Sequence, residues 1–205
     1  MFPENQIYLA SRSPRRRELL RQVGVRFNLL MMRETLGRTI DIDERSFENE
    51  APTDYIYRIT QYKASESWKR LLQRRLPVLP VLVADTIVTI DGTILGKPRD
   101  KMHATDMLKT LSGRSHQVLT AIGVGIRDHI QVKLSTSTVR FREITEQEIR
   151  RYLENNNILD KAGAYAIQGM AAAFIAEISG SYSGIMGLPL YETIQLLEET
   201  GIQVV

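Results

Sequence analysis

The chain has 205 residues, of which 43% are hydrophobic and 25% charged, as expected for one globular domain or two tightly joined lobes. It contains no cysteine, which excludes disulfide bonds, iron–sulfur clusters and cysteine-based catalysis, and its three histidines lack the spacing of zinc ligands. The net charge is +3, and the charged residues are unevenly distributed along the chain. Residues 1–40 contain eight Arg against three Glu, whereas residues 141–205 contain four basic against nine acidic residues. This asymmetry predicts a basic face that suits a polyphosphate and, less well, a nucleic acid.

The first predicted elements are a strand, a helix and a second strand. Residues 7–10 form a short apolar run, and Ser13 followed by Pro14 is a favourable start for a helix over residues 14–23. Residues 25–31 then predict another strand.

Three consecutive arginines, residues 15–17, occupy the first turn of this predicted helix. Cations there oppose the helix dipole, whose amino-terminal end is already positive, and each costs up to about 1 kcal/mol. Three unfavourable charges in succession indicate a bound ligand that compensates for them. A phosphate chain bound to the free N–H groups of the helix start would do so, which predicts an anion site.

The middle of the chain alternates helices with apolar strands. Residues 33–52 are polar and predict a surface loop, after which Thr53 could cap a helix that runs to about Arg74. The apolar run 81–84 is typical of a central strand, and it is expected to end at Asp85. A hairpin follows over residues 87–95, with Asp91-Gly92 as its turn. The inward side of the 53–74 helix is predicted to carry Ile56, Ile59 and Ala64.

The remaining elements complete an α/β pattern. A helix is predicted from Asp100 to Leu111, and two long strands, expected to be antiparallel, over residues 115–126 and 130–142. A capping box at 145–148 opens a further helix to about Asn155. A Gly-rich segment reaches Gly187, and a terminal helix starts near Pro189. We therefore predict an α/β fold with a central mixed, twisted sheet flanked by helices.

No secretory or membrane-spanning segment is predicted. Pro3 and Glu4 interrupt the amino terminus, and the most apolar later run, residues 162–178, contains Gln168 and Glu177. We expect a cytoplasmic protein that does not contact a membrane.

Asp85 is the leading candidate for catalysis. A carboxylate at the carboxyl end of a buried strand lies where open α/β sheets bind ligands. There it could accept a proton from water or bind a divalent cation, although a turn or cap role is an open alternative.

Four other residues have both a functional and a structural interpretation. Lys97, between Gly96 and Pro98, and Lys63, on the predicted 53–74 helix, could bind phosphate or be surface lysines. Glu44 could bind a metal or be a solvated loop charge. The amide of Gln168 could read a nucleobase edge or make a hydrogen bond in the core.

Six ordered motifs, which span nearly the whole chain, closely resemble the Maf family of nucleoside triphosphate pyrophosphatases. They are Leu-Ala-Ser-x-Ser-Pro-Arg-Arg at 9–16, Ala-Asp-Thr-Ile-Val at 84–88, Gly-Lys-Pro at 96–98, Leu-Ser-Gly-Arg-x-His at 111–116, Asp-Lys-Ala-Gly-Ala-Tyr-x-Ile-Gln-Gly at 160–169 and Gly-Leu-Pro-Leu at 187–190. The resemblance implies a single domain over residues 1–205, with two lobes around a substrate cleft. It also implies hydrolysis of a nucleoside triphosphate to the monophosphate and pyrophosphate, dependent on Mg²⁺ or Mn²⁺.

The resemblance also implies roles for individual residues. Asp85 would be the catalytic proton acceptor and, with Glu44, a metal-associated carboxylate. The implied phosphate-binding set is Ser11, Arg16, Lys63 and Lys97. The implied base-selecting residues are Arg15, Thr86 and Gln168, a combination similar to the branch that acts on dTTP and UTP.

Two departures and two alternatives accompany this resemblance. The stretch before Glu44 is longer than usual, so Asp43 or Glu48 could take its role, and Gly96 stands where some members have Glu.

The alternatives are a pyrophosphatase for 7-methyl-GTP or modified purine triphosphates, and a nucleotide- or DNA-binding regulator of cell division. No nucleic-acid-binding motif supports the regulator. A homodimer is implied by resemblance alone.

Overall fold

A computed structural model describes residues 6–31, 45–127 and 129–204 of the chain. The strands in these ranges are β1 (Gln6–Leu9), β2 (Arg26–Leu29), β3 (Val81–Ile90), β4 (Thr93–Leu95), β5 (Ser115–Ile126), β6 (His129–Phe141) and β7 (Ile175–Ser179). The helices are α1 (Pro14–Gln22), α2 (Pro52–Gln73), α3 (Lys101–Leu111), α4 (Glu146–Asn155), α5 (Tyr182–Met186) and α6 (Leu190–Glu199). Short 3₁₀ helices lie at Ala162–Ala164 and Met170–Phe174. None of the helices in the described ranges has the length and apolarity to cross a membrane.

The strands form one mixed sheet in the order β2-β1-β3-β5-β6-β7, with β4 paired to β3. The pairings β1–β2 and β1–β3 are parallel, whereas β3–β4 and β6–β7 are antiparallel. The α/β class with a central mixed sheet is therefore confirmed.

Local sequence signals explain where several elements begin and turn. The Ser13 hydroxyl accepts from the Arg16 amide at the start of α1, and the Asp100 carboxylate caps α3. Thr145 and Glu148 form the predicted capping box of α4. Asp91 and Gly92 both have positive φ, as a two-residue hairpin turn requires.

Three predictions were wrong in their details. Thr53 does not cap α2, because Pro52 occupies its first turn and the cap position is Ala51, which has no side-chain cap bond. Asp85 is not at the end of a strand, because β3 continues to Ile90 and its second half pairs with β4. The Gly-rich segment before Gly187 contains β7, whose pairing with β6 was not evident from its sequence.

The chain folds as two compact units. The first comprises residues 1–85, 120–134 and 187–205, and the second comprises residues 86–119 and 135–186. Strands β3, β5 and β6 each contribute residues to both units.

The first unit has a largely aliphatic core that also contains one tryptophan and one tyrosine. Its buried members come from β1, the chain after β2, α2, the chain before β3, and β3 itself, and they are Tyr8, Leu30, Ala64, Trp68, Leu71, Leu79, Val81 and Val83. The predicted inward residues of α2, Ile56, Ile59 and Ala64, are all buried.

The second unit contains a buried aromatic cluster around His116. The His116 ring packs edge-on against Phe141 and Tyr165, with ring centroids 4.9 and 5.5 Å apart. The cluster extends through Phe174 to Tyr152 on α4. The His116 Nε2 atom lies 2.8 Å from the Tyr165 hydroxyl oxygen. His116 is 2% exposed, and burial lowers its pKa to about 4.

We predict that the stability of the fold decreases with acidification because of His116. An unfolded histidine titrates near pH 6.5, so between pH 6.5 and about 4 the unfolded chain binds a proton that the native chain does not. The free energy of unfolding should then fall with decreasing pH, by up to about 1.4 kcal/mol per pH unit from this group. Urea unfolding at several pH values would measure the slope.

Replacing this histidine should remove most of that slope. His116→Gln keeps a side chain that can bond to the Tyr165 hydroxyl but does not titrate. His129→Gln, at an exposed position, is the matched control and should keep the wild-type slope. An unchanged slope in His116→Gln would contradict the prediction.

Candidate active site

Backbone carbonyls hold the guanidinium of Arg16. Its Nε donates to the Gly187 carbonyl at 2.7 Å, and its Nη1 donates to the Ala84 carbonyl at 2.7 Å. The same Nη1 also donates to the Ser11 hydroxyl at 3.3 Å. These bonds join the start of α1, the middle of β3 and the segment before α6 within the first unit.

Partial burial lowers the pKa of the Arg16 guanidinium from its usual value, since desolvation disfavours the charged form. The nearby Asp85 carboxylate opposes this shift, and the positive charge of Arg15 adds to it. Arginine starts from so high a pKa that Arg16 stays charged at neutral pH. The site therefore holds a permanent cation within electrostatic reach of Asp85, the candidate catalytic carboxylate.

The turn that leads into α1 is ordered by two serines. The Ser11 hydroxyl accepts from the amide of Ser13 at 3.2 Å, and the Ser13 hydroxyl accepts from the amide of Arg16 at 3.5 Å. No acidic residue lies in the first turn of α1 to offset the three arginines. Binding of an anion at this helix start remains a prediction.

Asp85 forms an ion pair with Lys63. The Lys63 Nζ atom, on α2, lies 2.9 Å from Oδ2 of Asp85, and both side chains are 22% exposed. Along β3, Asp85 and Thr86 are half-buried while the residues on either side are buried. Lys63 is therefore not an ordinary exposed helical lysine, because it contacts the candidate catalytic carboxylate.

Three predicted site residues belong to the second unit. Thr86 follows Asp85 on β3, and Lys97 is exposed between half-buried Gly96 and buried Pro98. Gln168 is also exposed, so a buried hydrogen bond in the core does not account for its amide.

The structure thus brings several of the predicted residues close together and leaves one undescribed. The first unit contains Ser11, Arg15, Arg16, Lys63 and Asp85. The second unit contains Thr86, Lys97 and Gln168. Glu44 lies outside the described residues. The roles assigned to all nine by resemblance remain predictions.

Sequence reasoning missed the carbonyl acceptors of Arg16. Gly187 stands at the start of the Gly-Leu-Pro-Leu motif and Ala84 at the start of Ala-Asp-Thr-Ile-Val, but neither had been given a role. Every residue carries a carbonyl, so the sequence offers no signal that distinguishes these two as acceptors.

The segment that follows Glu44 is attached to α2 by Arg58. Its Nε and Nη2 atoms donate to the two carboxylate oxygens of Glu50 at 2.6 and 2.7 Å, and its guanidinium carbon lies 4.0 Å from the centroid of the Phe47 ring. The hydrogen bonds from Arg58 lower the pKa of the Glu50 carboxyl group. The contacts of Arg58 with Glu50 and Phe47 were also not predicted from the sequence.

A divalent cation fits the donor chemistry of this site. Mg²⁺ prefers oxygen ligands and is commonly held by one or two carboxylates together with substrate phosphates and water. Asp85 offers such a carboxylate. In residues 6–31, 45–127 and 129–204, no three His, Asp or Glu side chains cluster as a metal cage. Of the described site residues, Asp85 would hold such a cation.

The sequence profile of the family described as Maf-like protein matches residues 6–200. The chain belongs to this family. A "dTTP/UTP pyrophosphatase" of Nitrosomonas europaea is 60% identical over 200 residues, which cover 98% of this chain and 97% of the relative. A protein with the same name from Nitrosospira multiformis is 54% identical, over 99% of this chain and 98% of the relative. Another from Aromatoleum aromaticum is 51% identical, over 96% of each chain.

We predict that Arg16→Lys destabilises the first unit. A lysine ammonium lacks the planar fork that reaches both carbonyls, and a hydrogen bond lost at a buried acceptor costs about 1–3 kcal/mol. A loss of about 2 kcal/mol corresponds to a melting temperature about 4–8 °C lower for a chain of this size. Differential scanning fluorimetry would measure it.

Arg17→Lys, in the same helical turn, is the matched control. It retains the charge and leaves the bonds to Gly187 and Ala84 in place, so its stability should change by less than about 0.5 kcal/mol. Equal losses in the two variants would show that the carbonyl bonds of Arg16 do not stabilise the unit.

Proposed function

We propose that this protein hydrolyses dTTP and UTP to the nucleoside monophosphate and pyrophosphate. Relatives that bear the name dTTP/UTP pyrophosphatase, with up to 60% identity over nearly the full chain, support the substrates. The observation that carries the proposal is the Lys63–Asp85 pair beside the anchored Arg16. The family match over residues 6–200 supports a single functional domain. We place the activity in the cytoplasm, where nucleoside triphosphates are metabolised.

The cations of the site are proposed to bind the triphosphate. Arg16 presents a guanidinium of fixed orientation, whose positive charge attracts a phosphate group. Lys63 and Lys97 supply point charges, and Ser11 supplies a hydroxyl at the turn before α1. Amide groups at the start of α1 add further donors directed at an anion.

Asp85 is proposed to accept the proton of the attacking water. A water oxygen forms a bond to the α-phosphorus, the bond from that phosphorus to the bridging oxygen of the β-phosphate breaks, and pyrophosphate leaves with the electron pair. The water proton passes to a carboxylate oxygen of Asp85. Lys63, 2.9 Å from Oδ2, orients this carboxylate before substrate binds. Positive charge already in place would stabilise the negative charge that develops on the phosphate oxygens.

Bound Mg²⁺ or Mn²⁺ would neutralise phosphate charge and polarise the phosphoryl oxygens. We propose that Asp85 and Glu44 would hold this cation. Base selection is proposed to depend on Arg15, Thr86 and Gln168, whose amide can both donate to and accept from a pyrimidine edge.

A nucleotide panel tests the proposed function. Pyrophosphate release would be measured with dTTP, UTP, CTP, 7-methyl-GTP and ITP, each with Mg²⁺ and with excess EDTA. We expect dTTP and UTP to give the highest kcat/KM and EDTA to abolish release. A preference for 7-methyl-GTP or ITP would assign a different substrate class, and release that persists in EDTA would overturn the metal requirement.

We predict that Asp85→Asn abolishes most of the turnover. An amide cannot take the water proton, and loss of a general base lowers kcat by about 10²–10⁴-fold. Because Asn nearly matches Asp in volume, circular dichroism should show an unchanged fold. Pyrophosphate release from UTP measures the loss.

Asp91→Asn provides the control on the same β3–β4 hairpin. Asp91 lies at the exposed turn, where its carboxylate bonds to Arg114 at 2.5 Å and its side chain is 71% exposed. Asn tolerates the positive φ of 52° at this position. Turnover in Asp91→Asn should equal that of wild type, and an active Asp85→Asn enzyme would remove Asp85 from the mechanism.

A further inference from the structure

The 160–169 segment, which carries Gln168, is held inside the second unit by a buried hydrogen bond. The Tyr165 hydroxyl lies 2.8 Å from Nε2 of His116, and both residues are buried. The Tyr165 ring also packs edge-on against Phe141, with centroids 4.9 Å apart. This bond connects two of the six sequence motifs, and the proposed reaction gives neither His116 nor Tyr165 a role.

A second anchor lies two residues earlier, at Gly163. Its amide donates to the carbonyl of Gly96 at 3.1 Å, directly before Lys97. Gly163 has a φ of +66°, and a Cβ at this position would lie 2.9 Å from a methyl carbon of Val88. Only glycine fits so close an approach at such a φ. The segment is therefore held to β3 and to the Lys97 loop through Gly163, and to His116 through Tyr165.

Gln168 follows these anchors at a short and defined distance along the chain. The amide of Gly169 donates to the carbonyl of Ala166 at 3.1 Å, so Gln168 lies within a closed turn three residues after Tyr165. Ile167 is buried beside it, while Gln168 itself is exposed. Gln168 is thus an exposed residue in a turn that follows the buried Tyr165 and contains the buried Ile167.

We infer that the Tyr165–His116 hydrogen bond positions Gln168 for base recognition, so that Tyr165 and His116 are positioning residues for substrate selectivity. This inference rests on the proposed function, in which Gln168 reads the base. Uracil presents an N–H donor and a carbonyl acceptor where cytosine presents an acceptor and an amino donor. The side-chain amide of a glutamine can bond to the edge of either base once it rotates. To discriminate uracil from cytosine, the amide must therefore be held in one position and orientation.

Tyr165→Phe tests the inference, because it keeps the aromatic packing and removes only the hydroxyl. The readout is the ratio of kcat/KM for UTP to that for CTP. We expect this ratio to fall about fivefold or more, through a higher KM for UTP with kcat nearly unchanged, as for lost ground-state binding. His116→Leu, which removes the partner of the same bond, should reproduce the effect if Tyr165→Phe does not fold.

The Gln168→Ala background separates positioning from general destabilisation. If Tyr165 acts through Gln168, Tyr165→Phe should lower the ratio in the wild-type background and leave it unchanged in Gln168→Ala. Tyr152→Phe, which removes another buried hydroxyl from the same aromatic cluster, should keep the wild-type ratio even if it melts earlier.

Two results would overturn the inference. One is a Tyr165→Phe enzyme that melts at a lower temperature but keeps the wild-type ratio of kcat/KM for UTP to that for CTP. The other is a fall in this ratio on Tyr165→Phe that is equally large in the wild-type and Gln168→Ala backgrounds. Calorimetric dissociation constants for UTP and CTP give the same comparison without turnover. If wild-type protein binds UTP more tightly than CTP but releases no pyrophosphate, the proposed function is refuted. The dissociation constants of the variants then still test the positioning inference.

Discussion

The guanidinium of Arg16 is the point on which the candidate site depends. Its bonds to the carbonyls of Gly187 and Ala84 tie together parts of the first unit that are distant in sequence. Ala84 directly precedes Asp85, so the cation and the catalytic candidate are held to one stretch of β3. Because the guanidinium is planar and two of its nitrogens bond to backbone, its orientation is set before any ligand arrives. That preorganisation is what electrostatic catalysis of phosphoryl transfer requires.

The anchoring of Arg16 also changes the interpretation of the three arginines at the start of α1. A cation in a first helical turn is unfavourable, and the sequence suggested that a phosphate compensates for all three. For Arg16, the protein itself supplies part of the compensation through two carbonyl oxygens and a serine hydroxyl. The helix start thus tolerates a charge that its dipole disfavours, and the remaining positive field is available to attract an anion. In the same unit, the charge of Lys63 is balanced by the Asp85 carboxylate with which it pairs.

The second unit uses a different kind of support, based on buried contacts rather than charge. His116, neutral at physiological pH because burial lowers its pKa to about 4, bonds to Tyr165 inside an aromatic cluster. The Gly163 contact with Val88 and Gly96 restrains the same segment at a second point. The exposed Gln168, which is proposed to read the nucleobase, is in this way attached to a rigid support. Such a support can give a side chain on a turn the positional accuracy of one on a strand.

Local signals in the sequence determined most elements and the class of the fold. Ser13 with Pro14, Asp100, the Thr145–Glu148 capping box and Asp91-Gly92 act over a few residues, and each was visible without a structure. Ordered motifs likewise determined the family. Tertiary structure alone decided that β3 runs past Asp85, that β7 forms beside β6, that Lys63 faces Asp85, and that Gly187 and Ala84 accept from Arg16. These contacts join residues far apart in sequence through generic backbone groups or long flexible side chains, and such groups carry no local pattern that names their partners.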